Sequence, residues 1–207
     1  MGTIYSMKAL ILVGGFGVRL REIIHGRPKH LVLINGQPFL RHLLKLLKKH
    51  QIEKVVLAVG YLAQYIIDEF TQDNEGLDIS FSEDNRPLGT AGSIKNCEKL
   101  FKEDFLIING DTYLDIDYQQ LLADHKKSSA VLTIITTEKQ GKPCNAGIYV
   151  ASPKIFEYIP ELVKFSLEQE VIPLLKKQAK INVFQTNQEF IDIGSVHGFN
   201  QAIKKLK

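Results

Sequence analysis

Lys8-Ala9-Leu10-Ile11-Leu12-Val13, followed at once by Gly14-Gly15-Phe16-Gly17-Val18-Arg19-Leu20, is the stretch that decides the fold. A short, continuous apolar run bounded by glycine suits a strand buried on both faces, as inside a parallel sheet. Three glycines in four residues then remove side chains where a backbone must turn tightly or approach a ligand. Their amides can face phosphate oxygens. A plain tight turn would use the same glycines, so the loop alone leaves both readings open.

Two common nucleotide motifs fit poorly. A dinucleotide fingerprint needs Gly-x-Gly-x-x-Gly and an acid ending the second strand. With Gly15 and Gly17 as the first glycines, the third position is Leu20, and the second apolar run ends in Val59-Gly60-Tyr61. A P-loop needs Gly-Lys followed by Ser or Thr, whereas this loop has Gly17-Val18-Arg19. Arg19 is informative in itself, because a planar, permanently charged guanidinium beside a glycine cradle suits a polyphosphate whose charge shifts during reaction. Pro28-Lys29 lies in a polar segment, where an isolated lysine is ordinarily a solvated one.

Outward from the loop, helix and strand patterns alternate. Phe39, Leu40, Leu43, Leu44, Leu46 and Leu47 recur at helical spacing after Pro38, a good first-turn residue. Lys54–Val59 reads as a buried strand, Ala63–Phe70 as a helix, Leu77–Ser82 as a strand, Thr90–Leu100 as a helix and Asp104–Ile108 as another buried strand. Ala130–Thr136, Ala146–Val150, Ile181–Gln185 and Phe190–Ile193 read as further strands. Ser166-Leu167-Glu168-Gln169 matches a capping box ahead of a helix, and Ser195 opens a last helix. The alternation argues for an α/β three-layer fold with a mostly parallel central sheet, as one domain spanning residues 1–207.

Composition narrows the classes. The 26 Lys and Arg nearly balance the 23 Asp and Glu, with no long basic block, so nucleic acid is not an expected partner. No stretch approaches the roughly 18 apolar residues of a membrane helix, and Ala9–Val13 is too short for a signal-peptide core. Cys97, in a helical pattern, and Cys144, read as a loop residue, are too isolated for a disulfide framework, so a reducing cytoplasm is expected. The six histidines are scattered and read by default as structural or surface residues, which leaves zinc chemistry unsupported.

Two acids stand at strand ends. Ile107-Ile108-Asn109-Gly110-Asp111 puts a carboxylate just past a buried strand, where ligands of open α/β sheets gather. Asp192, inside Phe190-Ile191-Asp192-Ile193-Gly194, needs a partner among apolar neighbours; a metal or the last helix's N-terminus would serve, though Ser195 is better placed as the cap. Mg²⁺ prefers one or two carboxylates with phosphate oxygens and water. Two aspartates, a glycine cradle, an arginine and a lysine suffice for attack of one phosphate on another, which is mostly positioning and charge neutralisation.

Together these residues resemble the sugar-1-phosphate nucleotidylyltransferases over nearly the whole chain. Gly14–Leu20 is similar to the family's Gly-Gly-x-Gly-Thr-Arg-Leu signature, Pro28-Lys29 to its Pro-Lys-Pro, and Pro87–Gly92 to its nucleoside-contacting segment. Asn109-Gly110-Asp111 resembles the metal-binding Gly-Asp, Asn145-Ala146-Gly147-Ile148-Tyr149 resembles Asn-x-Gly-x-Tyr facing the sugar, and Asp192 matches the second metal aspartate. Pro87–Gly92, Phe165–Glu168 and Phe190–Gly194 most resemble the heptose 1-phosphate guanylyltransferase branch.

The resemblance implies a Rossmann-like fold of the nucleotide-diphospho-sugar transferase type. It implies a reaction joining GTP to a heptose 1-phosphate, with release of pyrophosphate, for surface polysaccharide synthesis. It makes Arg19 and Lys29 catalytic and gives Asp111 and Asp192 to Mg²⁺. Val13, Gly14, Gly15, Gly17, Arg19, Glu83, Leu88, Gly89, Thr90 and Asp111 would bind the nucleotide. Asn109, Glu138, Lys139, Asn145, Gly147 and Glu168 would face the sugar phosphate. The partners are then small molecules, with room for a homodimer. Val18 stands where the signature has threonine and His30 where it has proline, and the stretch between Thr137 and Asn145 is shorter than is usual in the family. Two other readings stay open: a non-catalytic sugar-nucleotide-binding relative, and a transferase using UTP, dTTP or CTP with another phosphorylated acceptor.

Overall fold

The structure, a computed structural model, describes residues 7–15, 26–139, 141–161 and 163–206. The decisive stretch is strand β1 (Lys8–Leu12), in which Ala9, Leu10 and Ile11 are 0% exposed. It lies inside a seven-stranded sheet whose order is β10 (Ile181–Gln185), β8 (Leu132–Lys139), β9 (Lys142–Ala151), β6 (Phe105–Asn109), β1, β4 (Lys54–Val59) and β5 (Asp78–Glu83). Its neighbours β4 and β6 both run parallel to it, and β5 is parallel to β4. Beyond β6, β9 runs antiparallel to β6 and to β8, and β10 is parallel to β8. The sheet is therefore mostly parallel, as expected. Cys144 lies within β9, not in a loop as its spacing suggested, because the β8–β9 hairpin extends the ladder out to Lys139 opposite Lys142.

Alternate residues of the central strands feed opposite faces. Ala9, Ile11, Val55, Leu57, Leu106 and Ile108 pack with α1 (Phe39–Lys49), α2 (Ala63–Gln72) and α4 (Tyr118–Ser128). Leu10, Val56, Ala58, Phe105 and Ile107 pack with α3 (Gly89–Asn96) and α5 (Ile172–Lys177). This period of two is why the runs read as continuously apolar: both faces are covered. The leucines at positions 40, 43, 44 and 47 of α1 are all 0% exposed, and each such side chain is worth roughly 1.5–3 kcal/mol relative to exposure. Pro38 sits one residue ahead of that helix, pairing with Leu33 in the small β2–β3 ribbon (Leu33–Ile34 with Gln37–Pro38).

Two local expectations change in detail. The helix after residue 89 ends at Asn96 and tightens into a 3₁₀ turn at Glu98–Leu100. Phe190–Ile193 contributes only β11 (Ile191–Asp192), which pairs with β7 (Thr112–Tyr113) outside the main sheet. At the capping box, Ser166 Oγ accepts from the Gln169 amide at 3.2 Å, as the motif requires. The reciprocal bond comes from Glu170, whose Oε2 accepts from the Ser166 amide at 2.6 Å. A π-turn over Leu167–Val171 explains the one-residue shift. Ser195 caps α6 (Val196–Lys205), its Oγ accepting from the Gly198 amide at 3.1 Å.

Candidate active site

Because β1, β4, β5 and β6 are parallel, their carboxyl ends share one edge of the sheet. They deliver Gly14-Gly15, Gly60-Tyr61, Glu83-Asp84 and Asn109-Gly110-Asp111 to it. The chain crosses from one side of β1 to the other here, with β4 and β5 on one flank and β6 on the other. Crevices in open α/β sheets form at such a switch point. A cavity of about 780 Å³ occupies this edge. Nine of the expected site residues line it: Gly14, Gly15, Lys29, Glu83, Leu88, Gly89, Thr90, Asn109 and Asp111.

At one end stands a charge pair. Lys29, in a 3₁₀ turn over Lys29–Leu31, puts Nζ 2.5 Å from Asp111 Oδ2, with the side chains only 17% and 19% exposed. Burial alone would raise the Asp111 carboxyl, but the Lys29 ammonium outweighs it and holds the group below the usual carboxylate range. Gly110 lets this corner close: a methyl there would lie 2.5 Å from Val13 Cγ1 and 2.7 Å from the Leu12 carbonyl. Asp192 arrives from the far end of the chain because β11 pairs Asp192 with Thr112 and the Ile193 amide donates to the Asp111 carbonyl at 3.0 Å. A methyl built on Gly194 would lie 2.8 Å from Asp192 Oδ1 and 3.4 Å from Asp111 Oδ2, so the two carboxylates flank one point. These are the residues that could hold a metal.

The other end is built by β5 and α3. Glu83 closes the strand as an exposed residue. Asp84, which sequence reasoning passed over, is more buried. Its Oδ2 accepts from Ser93 Oγ and its Oδ1 from Asn96 Nδ2 at 3.0 Å. Burial pushes its carboxyl up, and the hydrogen bonds from Ser93 and Asn96 do not fully offset that. A signal for it was present. Strand alternation sends Ile79 and Phe81 to the α1–α2 face and leaves Ser80, Ser82 and Asp84 for the other, while Ser93 and Asn96 are three apart on α3.

Pro87–Gly92 is clamped by the strap at residues 163–165. The Phe165 amide donates to the Leu88 carbonyl at 2.8 Å, and the Phe165 carbonyl accepts from Ala91 at 3.0 Å. Gly89 adopts φ +72, and a methyl there would sit 2.5 Å from the Phe165 carbonyl oxygen, so glycine is required twice over. Thr90 continues the network: its Oγ1 accepts from the Leu167 amide and donates to Glu168 Oε2, each at 2.8 Å. Tyr149 donates to Glu168 Oε1 at 3.3 Å and accepts from Asn145 Nδ2 at 2.9 Å, and Asn145 Oδ1 accepts from the Gly147 amide at 2.9 Å. Burial, with the Glu168 carboxylate beside it, raises the Tyr149 phenol well above its ordinary value, so it acts as a neutral donor.

Thus Asn145, Gly147 and Glu168 form one chain leading from the cavity, although they do not line it. Val13 packs into the core beneath the cavity. Glu138 is exposed and pairs with Pro143 towards the hairpin tip, outside the cavity lining, and the backbone of Lys139 pairs with Lys142 beyond it. Gly17, Val18 and Arg19 lie outside the described residues. His30, read by default as structural, is 1% exposed and lines the cavity; burial and the adjacent Lys29 lower its pKa to about 3, so the ring is neutral.

Known proteins are similar to this chain over most of its length. The chain is 33% identical to the D-glycero-alpha-D-manno-heptose 1-phosphate guanylyltransferase of Aneurinibacillus thermoaerophilus, over 97% of this chain and 99% of that one. It is 35% identical to the protein of the same name from Campylobacter jejuni, over 91% of this chain and 95% of that one. The first alignment spans 227 positions against the 207 residues here, so that relative carries residues this chain lacks. The crystal structure of HddC from Yersinia pseudotuberculosis complexed with GMP-PN superposes with a TM-score of 0.84 at 32% identity, covering 97% of this chain and 100% of that one. The nucleotidyl transferase family profile matches residues 8–143, and this chain belongs to that family.

Proposed function

We propose that the protein transfers a guanylyl group from GTP to a heptose 1-phosphate, giving GDP-heptose for surface polysaccharide synthesis, and pyrophosphate. The observation that carries this reading is the division of the cavity, with the Lys29–Asp111 pair just past the end of β6 and Asp192 beside it, and Glu83 with Asp84 at the end of β5. The names of the relatives support both substrates.

The triphosphate is assigned to the glycine loop. Lys29, lying against Gly15, would neutralise charge near the α-phosphate, and Arg19 would do so on the reacting phosphates. An acceptor phosphate oxygen attacks that phosphorus in line, and pyrophosphate leaves. Asp111 and Asp192 would hold Mg²⁺, an ion that completes its shell with phosphate oxygens and water. When bound, such an ion supplies charge neutralisation on the phosphates. Guanine offers N1–H and a 2-amino group, and Glu83 and Asp84 accept without donating. Uracil and thymine carry a single N3–H between carbonyls that carboxylates would repel. Asn109, Asn145, Gly147 and Glu168, with Glu138 and Lys139 further out, are assigned to the sugar phosphate.

Pyrophosphate release measured with GTP, ATP, CTP, UTP and dTTP against a panel of sugar 1-phosphates tests the reading. GTP with a heptose 1-phosphate should give the highest kcat/KM. A higher value for UTP or dTTP would overturn the base assignment, and one for another sugar would overturn the acceptor.

A further inference from the structure

The Lys29–Asp111 contact is specific about which oxygen it takes. Nζ lies 2.5 Å from Oδ2, and Oδ2 is the oxygen 3.4 Å from a methyl built on Gly194. Asp192 Oδ1 lies 2.8 Å from the same point. The ammonium therefore holds the side of Asp111 that is turned towards the second carboxylate. On its other flank, a methyl on Gly15 would sit 3.4 Å from Lys29 Cε and 3.6 Å from Nζ. One cation thus has a carboxylate in hand and the proposed phosphate loop within reach.

This placement has an energetic consequence. A divalent ion arriving alone must take Asp111 away from an ammonium that is already largely desolvated, and would leave that ammonium without its partner. An ion arriving with a polyphosphate brings the anion that can receive the lysine.

We infer that Lys29 is the resident counter-cation of Asp111 in the nucleotide-free protein and that it couples metal entry to nucleotide entry. The metal gains Asp111 only when phosphate oxygens draw Nζ towards Gly15. This rests on the proposed assignment of Asp111 and Asp192 to a metal. Coupling of this kind is reciprocal, so nucleotide tightens metal binding by the factor by which metal tightens nucleotide binding.

The test is Mn²⁺ titration followed by electron paramagnetic resonance on the full chain, with and without α,β-methylene-GTP. The proteins are wild type, Lys29→Met, Lys29→Gln and Asp111→Asn. Without nucleotide, both lysine variants should bind Mn²⁺ roughly tenfold more tightly than wild type, within the usual span of coupling between sites. The enhancement on adding the analogue should shrink by the same factor. Lysine variants that bind Mn²⁺ no more tightly than wild type, while Asp111→Asn still weakens Mn²⁺ in the complex with the analogue, would overturn the coupling alone. An Asp111→Asn complex that holds Mn²⁺ as wild type does would overturn the metal assignment and the coupling with it. Wild type gives a check that needs no variant: if Mn²⁺ and the analogue bind independently of each other, the coupling is overturned.

Discussion

Asp111 and Asp84 stand at opposite ends of one cavity and are held in opposite electrostatic states. Burial pushes both carboxyls up. At Asp111 a full positive charge, Lys29, more than compensates and the group ends below the ordinary range. At Asp84 the partners are neutral, a hydroxyl and a carboxamide, and the group ends above it. The Asp111 end, proposed to take the phosphates, is thus balanced within the protein by a cation. The Asp84 end, proposed to take the base, has only neutral hydrogen-bond donors against a partly desolvated carboxyl. The fold puts a standing cost where selectivity is proposed and a neutral pair where charge is proposed to move.

The largest way to break this contrast is at the phosphate end. Asp111→Asn keeps the shape and one acceptor but removes the charge, and should lower turnover by on the order of 10³-fold. Asp192→Asn should act in the same direction. Pre-steady-state assays, with circular dichroism to check the fold, would measure this. Turnover near wild type, or full activity in EDTA, would sink the role given to both carboxylates.

A smaller effect is expected at the base end. Asp84→Asn replaces an acceptor-only group with one that also donates, and should reduce kcat/KM for GTP by about 10- to 100-fold relative to UTP, the cost of one or two mismatched buried polar groups. Glu83→Gln should cost less, because Glu83 is the more exposed of the two. If Glu83→Gln abolishes GTP preference while Asp84→Asn leaves it intact, the ordering of the two acids is reversed.

How much of this was legible in the sequence follows the physics of each part. The central strands and α1 were legible because burial on both faces leaves a continuous apolar run and burial on one face leaves a helical stripe. Lys29 could be singled out only through the family resemblance: its local pattern reads as a solvated lysine, because its partner Asp111 is 82 residues away in sequence. Asp192 could be singled out as an acid among apolar neighbours, but its place beside Asp111 depends on a two-residue ribbon, β7–β11, too short to leave a pattern. Asp84 was masked by Glu83, since composition cannot rank two adjacent acids until the strand's facing is fixed. The chain Thr90–Glu168–Tyr149–Asn145 crosses three separate segments, α3, the π-turn and β9, and no local spacing joins them.

The smallest expected effect concerns stability, and it separates the two carboxylates by sign. Asp84 has a folded-state pKa raised above its unfolded value, so the native state binds its proton more tightly than the unfolded chain does. Stability from this group is therefore greatest at low pH and falls as pH rises from near 4, the ordinary aspartate value, through the raised native value. Asp111, lowered in the folded state, does the reverse: its contribution is present above the ordinary carboxylate range and is lost as pH falls through the folded value. Asp84→Asn removes the first dependence and leaves the second. In thermal melts of the nucleotide-free protein, the Asp84→Asn variant should therefore gain on wild type as pH is raised from about 4, the ordinary aspartate value, until the raised native value is passed. Ser93 Oγ can still donate to the carboxamide oxygen, which limits the loss of hydrogen bonding to one partner. A variant that loses ground to wild type as pH rises, or a difference unchanged across the range, would mean that Ser93 and Asn96 already compensate Asp84 as fully as Lys29 compensates Asp111, and the contrast between the two ends would fail.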